Sequence, residues 1–264
     1  MKGLGSLEIS YSVVLYHNSL QQVRKLVENV IATVPQNLDF KLYLINNSPD
    51  DTALSEALMN LSTQNSNIIP IFPESNRGFG AGHNLGIQRI TSAYHTIVNP
   101  DIIIPDSSQV EKIVEYMQES ASVLVQPEIR GANGELQRLV KLQPTVLDMA
   151  LRFLGPKMFK TRQHRFVHYD DYEHIIHSSN LSGSFLVFRS DILKKIGGFD
   201  ERYFLYMEDA DIGRMMNQYG PTVYFPGARV VHEWQRNNKK SFRGILQMLS
   251  SMTKYFRKWG WKFW

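Results

Sequence analysis

The sequence has no cysteine. This excludes a disulfide framework, thiolate metal sites and a cysteine nucleophile. No stretch approaches the roughly 18 apolar residues that a membrane-crossing helix needs. Residues Met1 to Ser19 carry one lysine and one short apolar run, Ser12–Tyr16, too brief for a secretory signal. The chain is therefore expected to stay on the cytoplasmic side. Internal repeats and low-complexity linkers are missing as well, which argues for one domain with an elaborated second half. Acidic residues stop at Glu233, and eight lysines and arginines follow it, so of the formal net charge of +4 the preceding part carries −4. Against these absences, 43% of the 264 residues are hydrophobic and 20% are charged, enough for a sizeable core and too apolar for disorder throughout.

The first half alternates β-rich runs with helical patterns. Strands are expected at Ile9–Tyr16, Phe40–Ile45, Asn67–Phe72, His95–Val98 and Ser122–Gln126, with helices at Leu20–Val34, from the Asn46–Asp50 turn to Leu61, at Ala81–Ile90 and at Asp106–Glu119. This order predicts an α/β fold with a mostly parallel sheet flanked by helices, and ligands at the carboxyl ends of its strands. The second half is less regular. Gln137–His177 reads as a loop-and-helix insertion, Ser184–Phe188 as a strand, Met207–Tyr219 as a helix, and Thr222–Phe225 and Ala228–His232 as short strands. From Ser241 onward, apolar residues recur at helical spacing and define a C-terminal amphipathic helix.

Several segments carry chemistry. In Glu74–Gly86, glycines at 78, 80 and 82 follow a strand and open a helix, an arrangement that lets backbone N–H groups approach a phosphate. A tight strand-to-helix turn would need the same residues. A nicotinamide fingerprint is disfavoured, because its third glycine would fall at His83 or, in the next frame, at Leu85. Asn99-Pro100-Asp101 closes a strand, and its carboxylate suits Mg²⁺ or Mn²⁺, although Asn-Pro-Asp is also a turn former. Glu208, Asp209 and Asp211 put three carboxylates into four positions, a density that raises at least one pKa and suits a general base. An acidic first helical turn is the alternative, and it fits Glu208 better than Asp209. His232 alone is a core or surface residue unless a metal or pyrophosphate lies beside it. The basic tail, with Trp259, Trp261 and Trp264, fits a helix lying in a bilayer interface or one docked on the domain with a solvated basic face. Nucleic acid is disfavoured, since the body is acidic and offers no recognition module.

Taken in order, Ser12–Asn18, Ile45–Ser48, Asn76–Asn84, Asn99–Asp101, Ser182–Phe185, Gly198–Glu201 and Glu208–Asp211 resemble glycosyltransferase family 2. These are inverting sugar-nucleotide transferases with the GT-A (Rossmann-like) fold, and the resemblance runs from Ile9 to about His232. The branch it is most similar to is the bacterial rhamnosyltransferases of O-antigen and cell-wall assembly.

The resemblance implies transfer of L-rhamnose from dTDP-L-rhamnose to undecaprenyl-diphosphate-linked GlcNAc, with a divalent metal (Mg²⁺ or Mn²⁺) as cofactor. Alternatives within it are another donor, such as a UDP-hexose, or a catalytically silent nucleotide-sugar binder. It implies that Tyr16, Asn18 and Asn46 line the nucleobase pocket and that Asn76, Gly78, Gly80 and Asn84 shape the loop near ribose and diphosphate. Asn99 and Asp101 occupy the family's DXD place, with Asp101 carrying the metal and His232 near metal or phosphate. Asp209 is the implied base. Two departures bear on base and metal binding: Asn46 and Asn99 both stand where relatives carry Asp. The implied organisation is a transferase domain at 1–235, with a nucleotide-binding half at 1–127 and an acceptor and catalytic half at 128–235. A basic aromatic segment at 236–264 would rest peripherally on the inner face of the inner membrane.

Overall fold

The computed structural model describes residues 7–154, 160–167, 171–233 and 242–264. Its first half alternates β1 (Leu7–Leu15), α1 (Leu20–Thr33), β2 (Leu38–Asn46), α2 (Thr52–Gln64), β3 (Ile68–Ile71), α3 (Phe79–Ile87) and β4 (Tyr94–Val98). β5 (Ile102–Ile103), α4 (Ser107–Glu119) and β6 (Leu124–Gly131) follow. The second half holds α5 (Val146–Leu154), α6 (Lys160–Phe166), β7 (Ile176–His177), β8 (Phe185–Arg189), α7 (Ser190–Lys195), α8 (Glu208–Met216), β9 (Thr222–His232) and α9 (Phe242–Trp259).

The strands form one sheet in the order β3-β2-β1-β4-β8-β6-β9-β5, with β7 beside β9. β3, β2, β1 and β4 are parallel neighbours, as helical crossovers between them require. β8 runs antiparallel to both β4 and β6, so β6 and its parallel partner β9 point the same way as β4. The two strands expected at 222–225 and 228–232 are one strand, β9, whose pairing with β6 shifts register at Pro127/Glu128 to absorb Pro226, Gly227 and Ala228.

Alternation along β1 explains the layering. Ile9, Tyr11, Val13 and Leu15 join a core with Val23, Leu26, Val27 and Val30 of α1 and with residues of α2 and α4. Burial of each such aliphatic side chain contributes about 1.5–3 kcal/mol. Ser19 caps α1 by accepting from the Gln22 N–H, as its type predicts. On the opposite face α3, α7 and α8 cover a second core. A third cluster joins α5, α6, α8 and α9 through Met149, Phe166, Ala210, Tyr255 and Phe256.

The C-terminal segment is thus docked by one face. Tyr255 and Phe256 are buried, while Leu246, Leu249, Trp261, Phe263 and Trp264 are exposed. The chain beyond α9 returns to α5, where the carbonyls of Lys262 and Phe263 accept from the N–H groups of Val146 and Leu147. No described helix is long and apolar enough to cross a membrane. The expected boundary at 235–236 and the basic residues Arg236, Lys239 and Lys240 lie outside the described residues.

The other face of β1 carries Ser10 and Ser12, which build a buried polar chain. Ser10 bonds Ser92 at 2.6 Å and His95 Nδ1 at 2.8 Å; Ser12 bonds His95 Nε2 at 2.9 Å and His83 Nδ1 at 2.7 Å. Burial pushes His83 down to about 3, and burial together with the neighbouring His83 holds His95 well below the usual histidine range. Both rings therefore fold neutral. Their contribution is complete above the ordinary histidine value near 6.5 and is lost as pH falls below it, because only the unfolded chain takes up the protons. The expected loss is about 1.4 kcal/mol per pH unit for each histidine. Urea midpoints measured at pH 7.5 and 5.0 should differ accordingly, and equal midpoints would refute the buried neutral pair.

Candidate active site

The strand ends fix the first wall of the site. Asn46 ends β2 and is 1% exposed. Its Oδ1 accepts from the Ser48 N–H at 3.0 Å and its Nδ2 donates to Ser55 Oγ at 2.9 Å, so the side chain closes its own turn. Asn47 reaches across to the next loop: Nδ2 donates to Asn76 Oδ1 at 2.9 Å and to the Gly78 carbonyl at 3.0 Å. Tyr16 projects from the end of β1, 57% exposed, and Asn18 Oδ1 accepts its N–H at 2.8 Å. A cavity of about 520 Å³ opens beside this wall, lined by Asn46, Ser55, Glu56, Met59 and Phe72 among others. Of the three residues assigned to the nucleobase, only Asn46 borders it.

The glycines of the β3–α3 loop have distinct roles. Gly78 has φ +90, and a Cβ there would collide with the Phe204 carbonyl, which accepts from the Phe79 N–H at 3.1 Å. Gly80 lies where a Cβ would meet the Phe199 side chain at 2.9 Å, and Gly82 where it would meet Val14 at 2.8 Å. The alternate spacing lets α3 press against the sheet and against the 199–204 segment. Inside α3, buried Asn84 makes a reciprocal pair with Phe199: Nδ2 donates to its carbonyl and Oδ1 accepts its N–H, both at 2.8 Å. Nδ2 also reaches Glu201 at 3.1 Å, and Arg77 pairs with Glu201 at 2.7 Å. Asn76–Asn84 and Gly198–Glu201 are therefore two halves of one unit. The sequence singles out both motifs without showing that they are partners, and the signal was an asparagine inside an otherwise small and apolar helix.

The acidic cluster opens α8 after Tyr206 and Met207, both with φ +70. Its carboxylates differ in environment. Glu208 is buried, and its Oε2 has no hydrogen-bond partner among the described residues. Burial, reinforced by the adjacent Asp209 charge, raises its carboxyl to about 8, so it is protonated at neutral pH. Asp209 accepts from the Ala210 N–H at 2.8 Å and lies against Gly183, where a Cβ would stand 3.5 Å from its own. Asp211 is 1% exposed and held by Lys258 Nζ at 2.7 Å, Trp259 Nε1 at 2.6 Å and the Tyr203 hydroxyl at 3.3 Å. Arg202, together with Lys258, holds the nearby Asp200 carboxyl well below the usual carboxylate range. Sequence reasoning missed these partners from α9.

The third element is the Asn99–Asp101 turn. Asn99 donates its N–H to the Ser184 carbonyl at 2.9 Å. Asp101 Oδ1 lies 3.1 Å from His232 Nε2, with the two side chains 20% and 11% exposed. Gln137 points its Nε2 at the His232 carbonyl and its Oε1 at His232 Nδ1, 3.2 Å away, which fixes the ring's orientation. The Asp101 carboxylate and the His232 imidazole thus stand side by side, and such an N,O pair matches the donor set of a divalent cation. Among the described residues no group of three or more His, Asp or Glu side chains gathers as a metal cluster. Asn99 touches Ser184, and Asp209 touches Gly183. The two acidic motifs, distant in sequence, thus flank the same Ser182–Ser184 segment leading into β8.

The model of the family described as Glycosyl transferase family 2 matches residues 12–197, more than half of the chain. The chain belongs to glycosyl transferase family 2. Among curated family relatives, the Mycobacterium tuberculosis N-acetylglucosaminyl-diphospho-decaprenol L-rhamnosyltransferase is 51% identical over 53 residues, which cover 20% of this chain and 17% of the relative. Rhamnosyltransferase WbbL of Escherichia coli K12 is 23% identical over 251 residues, 88% of this chain and 86% of the relative. The solved structure of GalNAc-T7 with UDP, GalNAc and Mn²⁺ superposes with a TM-score of 0.69 at 13% identity, covering 96% of this chain and 48% of that one. The mannosyltransferase PcManGT from Pyrobaculum calidifontis, with GDP-Man and Mn²⁺, gives 0.64 at 14% identity, covering 94% and 64%. At these identities the structural matches establish the family 2 chain's GT-A fold alone.

Removing the Asn84 amide strands both backbone groups of Phe199. Asn84→Ala should lower unfolding free energy by roughly 2–6 kcal/mol, about 1–3 for each of the two buried groups left unpaired. Urea denaturation reads this directly, and an unchanged midpoint would disprove the tie.

Proposed function

We propose that this family 2 chain is an inverting glycosyltransferase that moves L-rhamnose from dTDP-L-rhamnose to GlcNAc-diphosphate-undecaprenol in O-antigen or lipopolysaccharide assembly. The reading rests on Asp209 and the Asn99–Asp101 turn flanking one segment, Ser182–Ser184. The names of the two rhamnosyltransferase relatives support the sugar, and the mycobacterial relative's name supports a polyprenyl-diphosphate GlcNAc acceptor.

In this reading Tyr16, Asn18 and Asn46 line the nucleobase pocket, and Asn76, Gly78, Gly80 and Asn84 shape the loop near ribose and diphosphate. Asp101, with His232 and with Asn99 nearby, would hold Mg²⁺ or Mn²⁺, which when bound supplies positive charge to the leaving diphosphate. Glu208 carries a proton at neutral pH, and Asp209, half-buried beside Gly183, acts as base. Asp209 takes the proton of the acceptor hydroxyl as its oxygen bonds to the anomeric carbon. The carbon–oxygen bond to diphosphate breaks on the opposite face, releasing dTDP with inversion and no covalent enzyme intermediate.

Residues 1–235 form the transferase domain in this proposal, and 236–264 bring it to the inner face of the inner membrane. Exposed Leu246, Leu249, Trp261, Phe263 and Trp264 supply apolar contact there, and basic residues attract anionic lipid.

A panel of dTDP-L-rhamnose and UDP-hexoses, offered with a synthetic polyprenyl-diphosphate-GlcNAc and read by mass, should yield the rhamnosylated product. Product from a UDP-hexose alone would overturn the donor assignment. Asp209→Asn should lower kcat by roughly 10²–10⁴-fold while dTDP affinity stays within about threefold; near-normal turnover would remove Asp209 as base. Combined Trp261→Ser, Phe263→Ser and Trp264→Ser substitutions should cut cosedimentation with phosphatidylglycerol vesicles by at least about tenfold. Undiminished cosedimentation would rule out the aromatic end as the anchor.

A further inference from the structure

The turn that presents Asp209 is held on one side by α3 and on the other by the C-terminal helix. Between Asp200 and Asp211 the chain makes few regular bonds, and it passes through Tyr206 and Met207 in the left-handed region, which non-glycine residues occupy only when their surroundings enforce it. Most of that enforcement comes from α9. Ser251 Oγ donates to the Leu205 carbonyl at 2.8 Å, and Lys254 Nζ to the Arg202 carbonyl at 2.6 Å. Lys258 Nζ bridges Asp200 at 3.0 Å and Asp211 at 2.7 Å. Trp259 Nε1 donates to the other oxygen of Asp211 at 2.6 Å, its ring lying 4.4 Å from the Arg214 guanidinium. Tyr255 and Phe256 pack on Met207 and Ala210 in the same cluster.

Asp211 is the hinge of this arrangement. It lies two residues beyond Asp209 on α8, so its side chain points away from the base while sharing the same turn of backbone. A buried carboxylate that lost its ammonium and indole partners would seek water or other donors, and the first turn of α8 would move with it. A displacement of about 1 Å at a reacting group is enough to lower turnover by roughly 10²-fold.

We infer that Lys258 and Trp259 of the C-terminal helix are positioning residues for transfer, acting through Asp211 to fix the backbone that aims Asp209. The C-terminal segment then belongs to the catalytic assembly as well as to any surface it meets. This rests on Asp209 being the base.

The test compares full-length Trp259→Phe, Lys258→Met, Lys258→Arg and Asp209→Asn in the rhamnosyl-transfer assay, with hydrogen exchange of the 205–211 amides alongside. Trp259→Phe retains an aromatic ring while removing the indole N–H with its five-membered ring and leaves the Lys258 ion pairs in place, so it bears on the proposal even where Lys258→Met fails to fold. Trp259→Phe and Lys258→Met should each lower kcat at least tenfold, leave the donor KM within twofold and speed exchange at 205–211, while Lys258→Arg recovers most of the turnover. Adding Trp259→Phe to Asp209→Asn should produce no further loss. Trp259→Phe with normal kcat beside an inactive Asp209→Asn would overturn the positioning role and leave the base intact. An active Asp209→Asn would overturn the base and the positioning role together.

Discussion

An asparagine amide buried inside a helix has to find its partners within the fold, because no water reaches it. Asn84 meets this requirement with the two backbone groups of Phe199 and the Glu201 carboxylate. The remaining geometry of the cleft follows. With Phe199 fixed, the chain from Gly198 to Phe204 lies along α3, and the Phe204 carbonyl lands on the Phe79 N–H. That approach leaves room only for glycine at 78, and the approach of Gly198 to Asn84 Oδ1 leaves room only for glycine there, at φ +75. Downstream of Phe204 come the left-handed pair Tyr206-Met207 and then α8 with its carboxylates. One amide thus links the β3–α3 loop to the acid-bearing helix.

The three carboxylates of α8 show how neighbouring side chains of like chemistry are separated by surroundings. Glu208 is buried without a cationic partner and holds its proton. Asp211, buried more deeply, has an ammonium, an indole and a phenol around it and stands as an anion in an ion pair. Asp209 lies between: half-buried, without a salt partner among the described residues, it packs beside Gly183. That middle condition, partly exposed and not consumed by a structural cation, is the one the proposed base role calls for. Helix dipole alone would have treated the three alike.

Much of this architecture is legible in the sequence, and the failures share a cause. The βαβα order appears because its determinants are local: alternating Ile9, Tyr11 and Val13, the 3.6-residue stripe of α1, and the Ser19 cap. The acidic motifs stand out because carboxylates are rarely crowded without reason. What the sequence does not display is pairing across distance. Nothing near Asn84 announces Phe199, 115 residues later, and nothing near Asp211 announces Lys258. The two-residue β5 is invisible for the same reason, since Ile102 and Ile103 are strand only by virtue of His232 and Val231 opposite. The glycines at 80 and 82 read as phosphate-loop chemistry, but in the fold they also serve close packing against Phe199 and Val14, a requirement local pattern does not carry.

The C-terminal helix marks the limit of amphipathic reasoning. A stripe of Phe, Leu, Tyr and Trp beside lysines and arginines describes a helix floating in headgroups and a helix seated on its own domain equally well, since both bury an apolar face and solvate a basic one. The structure divides the segment between a docked face and an exposed one. Tyr255 and Phe256 face the body, and Leu246, Leu249, Trp261, Phe263 and Trp264 face outward. The charges divide as well. Lys258 is engaged at Asp200 and Asp211, and Lys254 at the Arg202 carbonyl. A count of positive residues in such a tail therefore overstates what it can offer an anionic surface, because part of that charge already neutralises carboxylates inside the fold.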